Sequence, residues 1–129
     1  MALKEWDRFV RSLSYAIQGI VYTVKTQRNM QIHVAAALIV LAAAWWLQIP
    51  RSDVLLVFFS IALVIALELV NTAVEAAVDL ASPDWHSKAK IAKDASAGAV
   101  LIAALVSVVI GVMIFGPPLY QKMSEWFLS

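Results

Sequence analysis

An apolar run from Val54 to Leu67, interrupted only by Ser60, leads straight into a segment that carries Glu68, Asn71, Thr72, Glu75 and Asp79. Read as one helix, these five fall at i, i+3, i+4, i+7 and i+11 and share one face. The other faces stay small or apolar, with Leu69, Val70, Ala73, Val74, Ala76, Ala77 and Val78. Three carboxylates and two hydrogen-bonding side chains thus line one stripe of a helix otherwise compatible with lipid. Ionisable groups at mid-bilayer cost roughly 2.5–3.5 kcal/mol each on insertion scales. Carboxylates gathered on one face call for a cation, and a cation often brings phosphate. The stripe reads as an active site.

Composition agrees with a membrane chain. The sequence is 62% hydrophobic and 15% charged, too apolar for an ordinary soluble domain. Its 129 residues suffice for one domain, taken as 1–129. No cysteine is present, which excludes disulfides, a thiolate nucleophile and cysteine metal sites. A net charge of +1 argues against a general nucleic-acid binder. No cleavable signal peptide, linker-like stretch or internal repeat is visible.

In chain order, residues 4–26 read as an amphipathic surface helix. Trp6, Phe9, Leu13, Ile17, Ile20 and Val24 recur at helical spacing, with Lys4, Arg8, Arg11, Tyr15 and Lys25 largely between them. A polar break, Thr26 to His33, leads into a first span over 30–49, with Trp45 and Trp46 as interface anchors. His33 itself reads as a satisfied interfacial residue. Residues 50–53 read as a tight turn, with Ser52 or Asp53 capping a second span over 54–80. That helix is about 40 Å long at ~1.5 Å per residue, so its acidic half lies toward an interface. Pro83 ends it, and a third span follows over 88–115, with Ala97, Gly98 and Ala99 permitting close packing. Gly116, Pro117 and Pro118 are expected to stop this helix and leave a short polar-aromatic tail.

The basic residues orient this three-span, all-α integral membrane architecture. Lys4, Arg8, Arg11, Lys25, Arg28, Lys88, Lys90 and Lys93 fall on one side, eight against the two of Arg51 and Lys122. The N-terminus is therefore expected inside and the C-terminus outside. The acidic end of the second span and the lysines opening the third then face the cytoplasm, where ATP and magnesium are. Phosphoryl transfer needs a metal, cations for the phosphates and a group to deprotonate the attacking hydroxyl. Glu75 fits the metal role and Glu68, deeper, the base role. Asn71 can hold either carboxylate or a phosphate oxygen, while Lys93 and the region of His86 can hold a nucleotide. Asp79 reads as supporting, paired with a lysine. No Gly-x-x-x-x-Gly-Lys loop or Gly-rich kinase loop is present.

At these residues the sequence closely resembles the prokaryotic diacylglycerol kinase family, which includes the undecaprenol kinases of Gram-positive bacteria. The resemblance runs from about Arg8 to Phe115 and is most specific at Glu68, Asn71, Thr72, Glu75 and Asp79, then His86, Lys93 and Asp94. The family signature is Glu-x-x-Asn-[Ser/Thr]-Ala-[Ile/Val]-Glu-x-x-Val-Asp. Asn29, Ile32 and His33 look like the Gram-positive branch, which prefers undecaprenol. The resemblance implies a homotrimer in the cytoplasmic membrane, with sites shared between subunits, ATP as donor and Mg2+ as cofactor. It implies Glu68 as general base, Glu75 as metal ligand and Asn71, Lys93 and Asp94 within the site, with Arg8, Tyr15, Asp84 and His86 near the nucleotide. Asp84 stands where a relative has glutamate.

One position departs from the pattern. The family usually has glutamate where this chain has Gln27, sharing the metal with the glutamate matched by Glu75. An amide offers a neutral oxygen and no charge, which implies weaker metal binding and slower turnover. The expectation is an ATP-dependent undecaprenol kinase. The alternatives are a diacylglycerol kinase, or a low-activity or inactive lipid- or nucleotide-binding membrane protein. An ion or drug transporter is disfavoured, because neither the first nor the third span supplies a matching polar face.

Overall fold

A computed structural model describes residues 2–128, and these form four helices in chain order. They are α1 (Ala2–Thr26), α2 (Arg28–Leu47), α3 (Arg51–Ala81) and α4 (Ser87–Leu128). The last three are long and apolar enough to cross a membrane. The connections between α2 and α3 and between α3 and α4 are short, so consecutive spans run antiparallel. The largest packing surface lies between α3 and α4.

The polar break before α2 is narrower than its composition suggests. Only Gln27 leaves the helical path, with φ −100° and ψ 116°, and Arg28 to His33 already form the first turns of α2. The α2–α3 turn also shifts. Gln48 takes the left-handed conformation at φ 52° and donates its N–H to Trp45 O, while Ile49 N–H reaches Ala44 O, both at 3.3 Å. This pair of bonds is the Schellman arrangement, and Ile49 and Ala44 bury their side chains together beside it. Pro50, not Ser52 or Asp53, then caps α3. Its carbonyl accepts from Asp53 N–H and Val54 N–H at 3.0 Å, and its missing N–H costs nothing outside the helix. Arg51, Ser52 and Asp53 are therefore helical rather than a turn.

Two departures concern α4. The expected stop at Gly116, Pro117 and Pro118 does not occur, and the helix continues to Leu128. Proline's fixed φ is itself helical, so two successive prolines remove donors to the carbonyls four residues back without forcing the chain out of the helix. The continued turns are tied back to α2: Lys122 Nζ donates to Trp46 O at 3.0 Å and lies 4.5 Å from the centre of the Trp46 ring. Lys122→Ala is expected to lower the midpoint of thermal unfolding in detergent, by the loss of about 0.5–1 kcal/mol for an exposed cation–π contact. Finally, Gly98 is not at a close approach, since an added Cβ there meets nothing within 4 Å. The buried residues of α4 are instead Val100 and Ala103 among those described.

Two ends of the bundle differ in what they bury. Near the α2–α3 turn the core is apolar, built on Ala44, Ile49 and Val57 with Ile114 and Phe115 of α4 against them. Toward the other end the buried set includes Thr23, Met30, Glu68, Asn71 and Thr72. Large apolar side chains elsewhere, among them Ile39, Leu55, Phe59, Ile102 and Val112, stay exposed. Surface of that extent suits lipid or another subunit rather than water. Among the described residues nothing covers Trp6, Phe9, Leu13 and Ile17 of α1, which are all exposed.

Candidate active site

The polar stripe of α3 is graded by depth. Glu68 is 2% exposed, Asn71 is buried, Glu75 is half-buried and Asp79 is exposed. Glu68 Oε2 is buried without a hydrogen-bond partner among the described residues. Thr72 does not serve this carboxylate, because its hydroxyl donates to the backbone carbonyl of Glu68 at 2.9 Å. The Glu68 side chain lines a pocket of about 220 Å³ in which Asn29, His33 and Asn71 are the other polar residues and Ile32, Ala97, Val100, Leu101 and Ala104 make up the apolar part. His33 and Ala104 also line a larger apolar cleft of about 640 Å³ between α2, α3 and α4. A pocket with a buried carboxylate thus shares a wall with an apolar cleft.

One turn further along α3, Glu75 Oε1 accepts from Asn71 Nδ2 at 3.3 Å. Glu75 has no cationic partner among the ion pairs of the described residues, which join Glu5 to Arg8, Asp94 to Lys90 and Asp79 to Lys93. A half-buried carboxylate that no described cation pairs directly suits a cation supplied from outside the chain. Among the described residues no group of three or more His, Asp or Glu side chains is arranged to hold a metal alone. Lys93 Nζ lies 2.5 Å from Asp79 Oδ1, so the expected lysine pairing of Asp79 is present.

The remaining candidates are less closely joined to the stripe. Asp94 pairs with Lys90 one turn away. His86 works as a cap on α4: its Nδ1 accepts the Lys88 N–H at 3.1 Å and its carbonyl accepts the Lys90 N–H at 3.0 Å. Asp84 is exposed in the α3–α4 connection, where its carbonyl accepts the Ser82 hydroxyl at 3.0 Å. Gln27 donates its side-chain amide to Thr26 Oγ1 at 3.4 Å, and no hydrogen bond links it to Glu75. Arg8 pairs with Glu5, and Tyr15 is exposed on α1; neither is hydrogen-bonded to the stripe.

Two residues of this region escaped the reading of the sequence as site residues. His33 falls on the pocket wall, and its spacing from Asn29 and Ile32, at i+4 and i+1, was the signal, since all three share one face of α2. Ser96 has its hydroxyl 2.7 Å from Asn71 Oδ1, and nothing distinguished it from any serine in a helix.

The sequence pattern of the prokaryotic diacylglycerol kinase family matches residues 14–115. The chain is 43% identical over 115 residues to the undecaprenol kinase of Bacillus subtilis (strain 168), covering 89% of this chain and 94% of that one. It is 42% identical over 113 residues to a diacylglycerol kinase of Synechocystis sp., covering 87% of this chain and 65% of the relative. Against the diacylglycerol kinase of Escherichia coli (strain K12) identity is 29% over 104 residues, 81% and 85% of the two chains. The matched span takes in α2, α3 and the whole stripe from Glu68 to Asp79, and it ends before the turns of α4 that follow Pro117. With three membrane-length helices and the family's pattern over residues 14–115, this chain belongs to the prokaryotic diacylglycerol kinase family and is a membrane lipid kinase with ATP as its phosphoryl donor.

Proposed function

We propose that the chain phosphorylates the hydroxyl of undecaprenol at the cytoplasmic face of the bacterial cytoplasmic membrane. The observation that carries this reading is the buried Glu68 oxygen, without a hydrogen-bond partner among the described residues, in a pocket that shares a wall with an apolar cleft. That geometry suits an alcohol at the end of a long apolar chain, with the hydroxyl at Glu68 and the chain in the cleft. The residues that resemble the Gram-positive branch, Asn29, Ile32 and His33, all line the Glu68 pocket, which favours a polyprenol over diacylglycerol. The relative from Bacillus subtilis bears the same name.

In this reading Glu68 takes the hydroxyl proton as the acceptor oxygen bonds to the γ-phosphorus of ATP. The bond from that phosphorus to the β–γ bridging oxygen breaks, and ADP leaves. Glu75 would hold Mg2+ together with Gln27, and the ion, when bound, neutralises phosphate charge. One unpaired carboxylate fits an ion that arrives with a nucleotide, because magnesium usually takes one or two carboxylates and completes its shell with phosphate oxygens and water. Lys93 and Asp94 serve the nucleotide. Their present ion pairs are exposed, with the Lys93 side chain 37% and Asp79 65% accessible, and such pairs are worth ~0–1 kcal/mol, so a phosphate competes readily. His86, Asp84, Arg8 and Tyr15 complete the nucleotide site, with Asn71 and Asp79 in support.

The assembly follows the same logic. The single domain spans 1–129, α1 lies in the headgroup region on its apolar side, the N-terminus is inside and the C-terminus outside. Three copies pack through their exposed apolar faces, and sites are shared between neighbours. The isolation of Arg8 and Tyr15 from the α3 stripe within one chain supports a site completed across subunits.

The test is transfer of the ATP γ-phosphate to undecaprenol and to diacylglycerol in mixed micelles with Mg2+. The chain is run beside its Gln27→Glu variant. Undecaprenol is expected to be the better acceptor, and restoring the carboxylate is expected to tighten apparent Mg2+ affinity by about 10–100-fold, the scale of a perturbed metal environment. Preference for diacylglycerol would overturn the acceptor. Absence of transfer from either variant to either lipid would favour a lipid- or nucleotide-binding protein without turnover.

A further inference from the structure

The Ser96 hydroxyl lies between two acceptors, 2.7 Å from Asn71 Oδ1 on α3 and 2.9 Å from the carbonyl of Lys93 on its own helix. It has one hydrogen to give. The direction of that hydrogen follows from Glu75. Asn71 Nδ2 faces Glu75 Oε1 at 3.3 Å. With the amide turned over, its carbonyl oxygen would face a carboxylate oxygen, and two acceptors would meet with no hydrogen between them. The carboxylate therefore keeps the amide nitrogen on its own side and turns Oδ1 toward Ser96. An oxygen at 2.7 Å from a hydroxyl needs that hydroxyl's hydrogen, so Ser96 donates to Asn71 rather than to Lys93. Asn71 is only 5% exposed, which leaves water little part in setting the orientation.

We infer that Ser96 is a positioning residue for the phosphoryl transfer: its hydroxyl locks the Asn71 amide so that Nδ2 holds the Glu75 carboxylate. The inference rests on the reading of Asn71 and Glu75 as site residues. The chain of three links α4 to α3 at the site, across 25 residues of sequence. Without the Ser96 hydroxyl, Asn71 Oδ1 is a buried acceptor with no donor, and the amide is free to turn. Glu75, whose only side-chain hydrogen bond among the described residues comes from that amide, then loses its fixed orientation. Ser96 touches neither substrate in this account and acts only through Asn71.

The experiment combines kinetics with an observation of the amide itself. The chain contains two asparagines, Asn29 and Asn71, so selective ¹⁵N-asparagine labelling in micelles gives two side-chain NH2 pairs. The Asn71 pair is assigned by its disappearance in Asn71→Ala. Ser96→Ala is expected to shift this pair and speed its exchange, and to lower kcat about tenfold, the scale of one buried hydrogen bond, with the lipid KM little changed. Ser96→Thr keeps the hydroxyl and is expected to restore both the signal and most of the rate. An unmoved Asn71 pair in Ser96→Ala overturns the inference, as does a Ser96→Thr variant as slow as Ser96→Ala. A Ser96→Ala variant that loses thermal stability alone, at full kcat, also overturns it and leaves Ser96 as a tie between helices. Asn71→Ala and Glu75→Gln separate the two levels. If they retain full activity, the site reading fails; if they lose it while Ser96→Ala does not, only the inference about Ser96 fails.

Discussion

Glu68→Gln is expected to lower phosphoryl transfer by about 10²–10⁴-fold, the contribution usual for a positioned general base. The side chain is 2% exposed, and one of its oxygens is buried without a partner, in the pocket proposed for the acceptor hydroxyl. Glutamine keeps the shape and takes away the proton acceptor. The folded state should not suffer. A buried carboxylate oxygen without a donor costs free energy, and a neutral amide lightens that cost. The measurement is kcat with saturating lipid, beside the thermal midpoint in the same detergent. An active Glu68→Gln enzyme would move the base elsewhere. An inactive but strongly destabilised one would mean that the carboxylate is structural.

The second large effect is expected at Glu75. Glu75→Gln should reduce kcat/KM for the nucleotide by at least about 100-fold, the usual scale for removing one group that stabilises transition-state charge. The reason lies in what surrounds it. Glu75 is half-buried, accepts one hydrogen bond from Asn71 and is paired with no cation among the described residues. Because Gln27 is an amide, Glu75 supplies the protein's formal charge in the proposed metal site by itself. The Asn71 contact should survive, since a glutamine oxygen still accepts from Nδ2. A titration of activity against Mg2+ checks the reading: the variant should need more metal and still fall short at saturation. An unchanged Mg2+ profile would remove Glu75 from the metal.

Much of the candidate site was legible because the helical period alone collects Glu68, Asn71, Thr72, Glu75 and Asp79 on one face. The pairing of Asp79 with a lysine also followed from charge, since the next helix opens with Lys88, Lys90 and Lys93. Local chemistry was less reliable at the helix ends. Pro50 took the cap expected of Ser52 or Asp53, and Pro117 and Pro118 failed to end α4: proline's fixed φ is itself helical, and the lost donors and ring crowding did not stop this helix. Gly98 misled in the same way. Small residues permit close packing, but which of them meets a neighbour depends on the rotation of α4 against α3.

By itself, then, the chain's apolar runs determined three membrane-length helices, and the spacing of its carboxylates determined one polar stripe on the second, because both are properties of a single helix and its solvent. Tertiary structure alone decided that Glu68 is buried while Asp79 on the same stripe is exposed. It decided that Lys93 meets Asp79, that Ser96 meets Asn71, and that His33 lines both the Glu68 pocket and the apolar cleft. Each of these is a contact or a depth set by how one helix is rotated and shifted against another. Periodicity within a helix carries no information about that register, which is settled by side-chain packing between α2, α3 and α4.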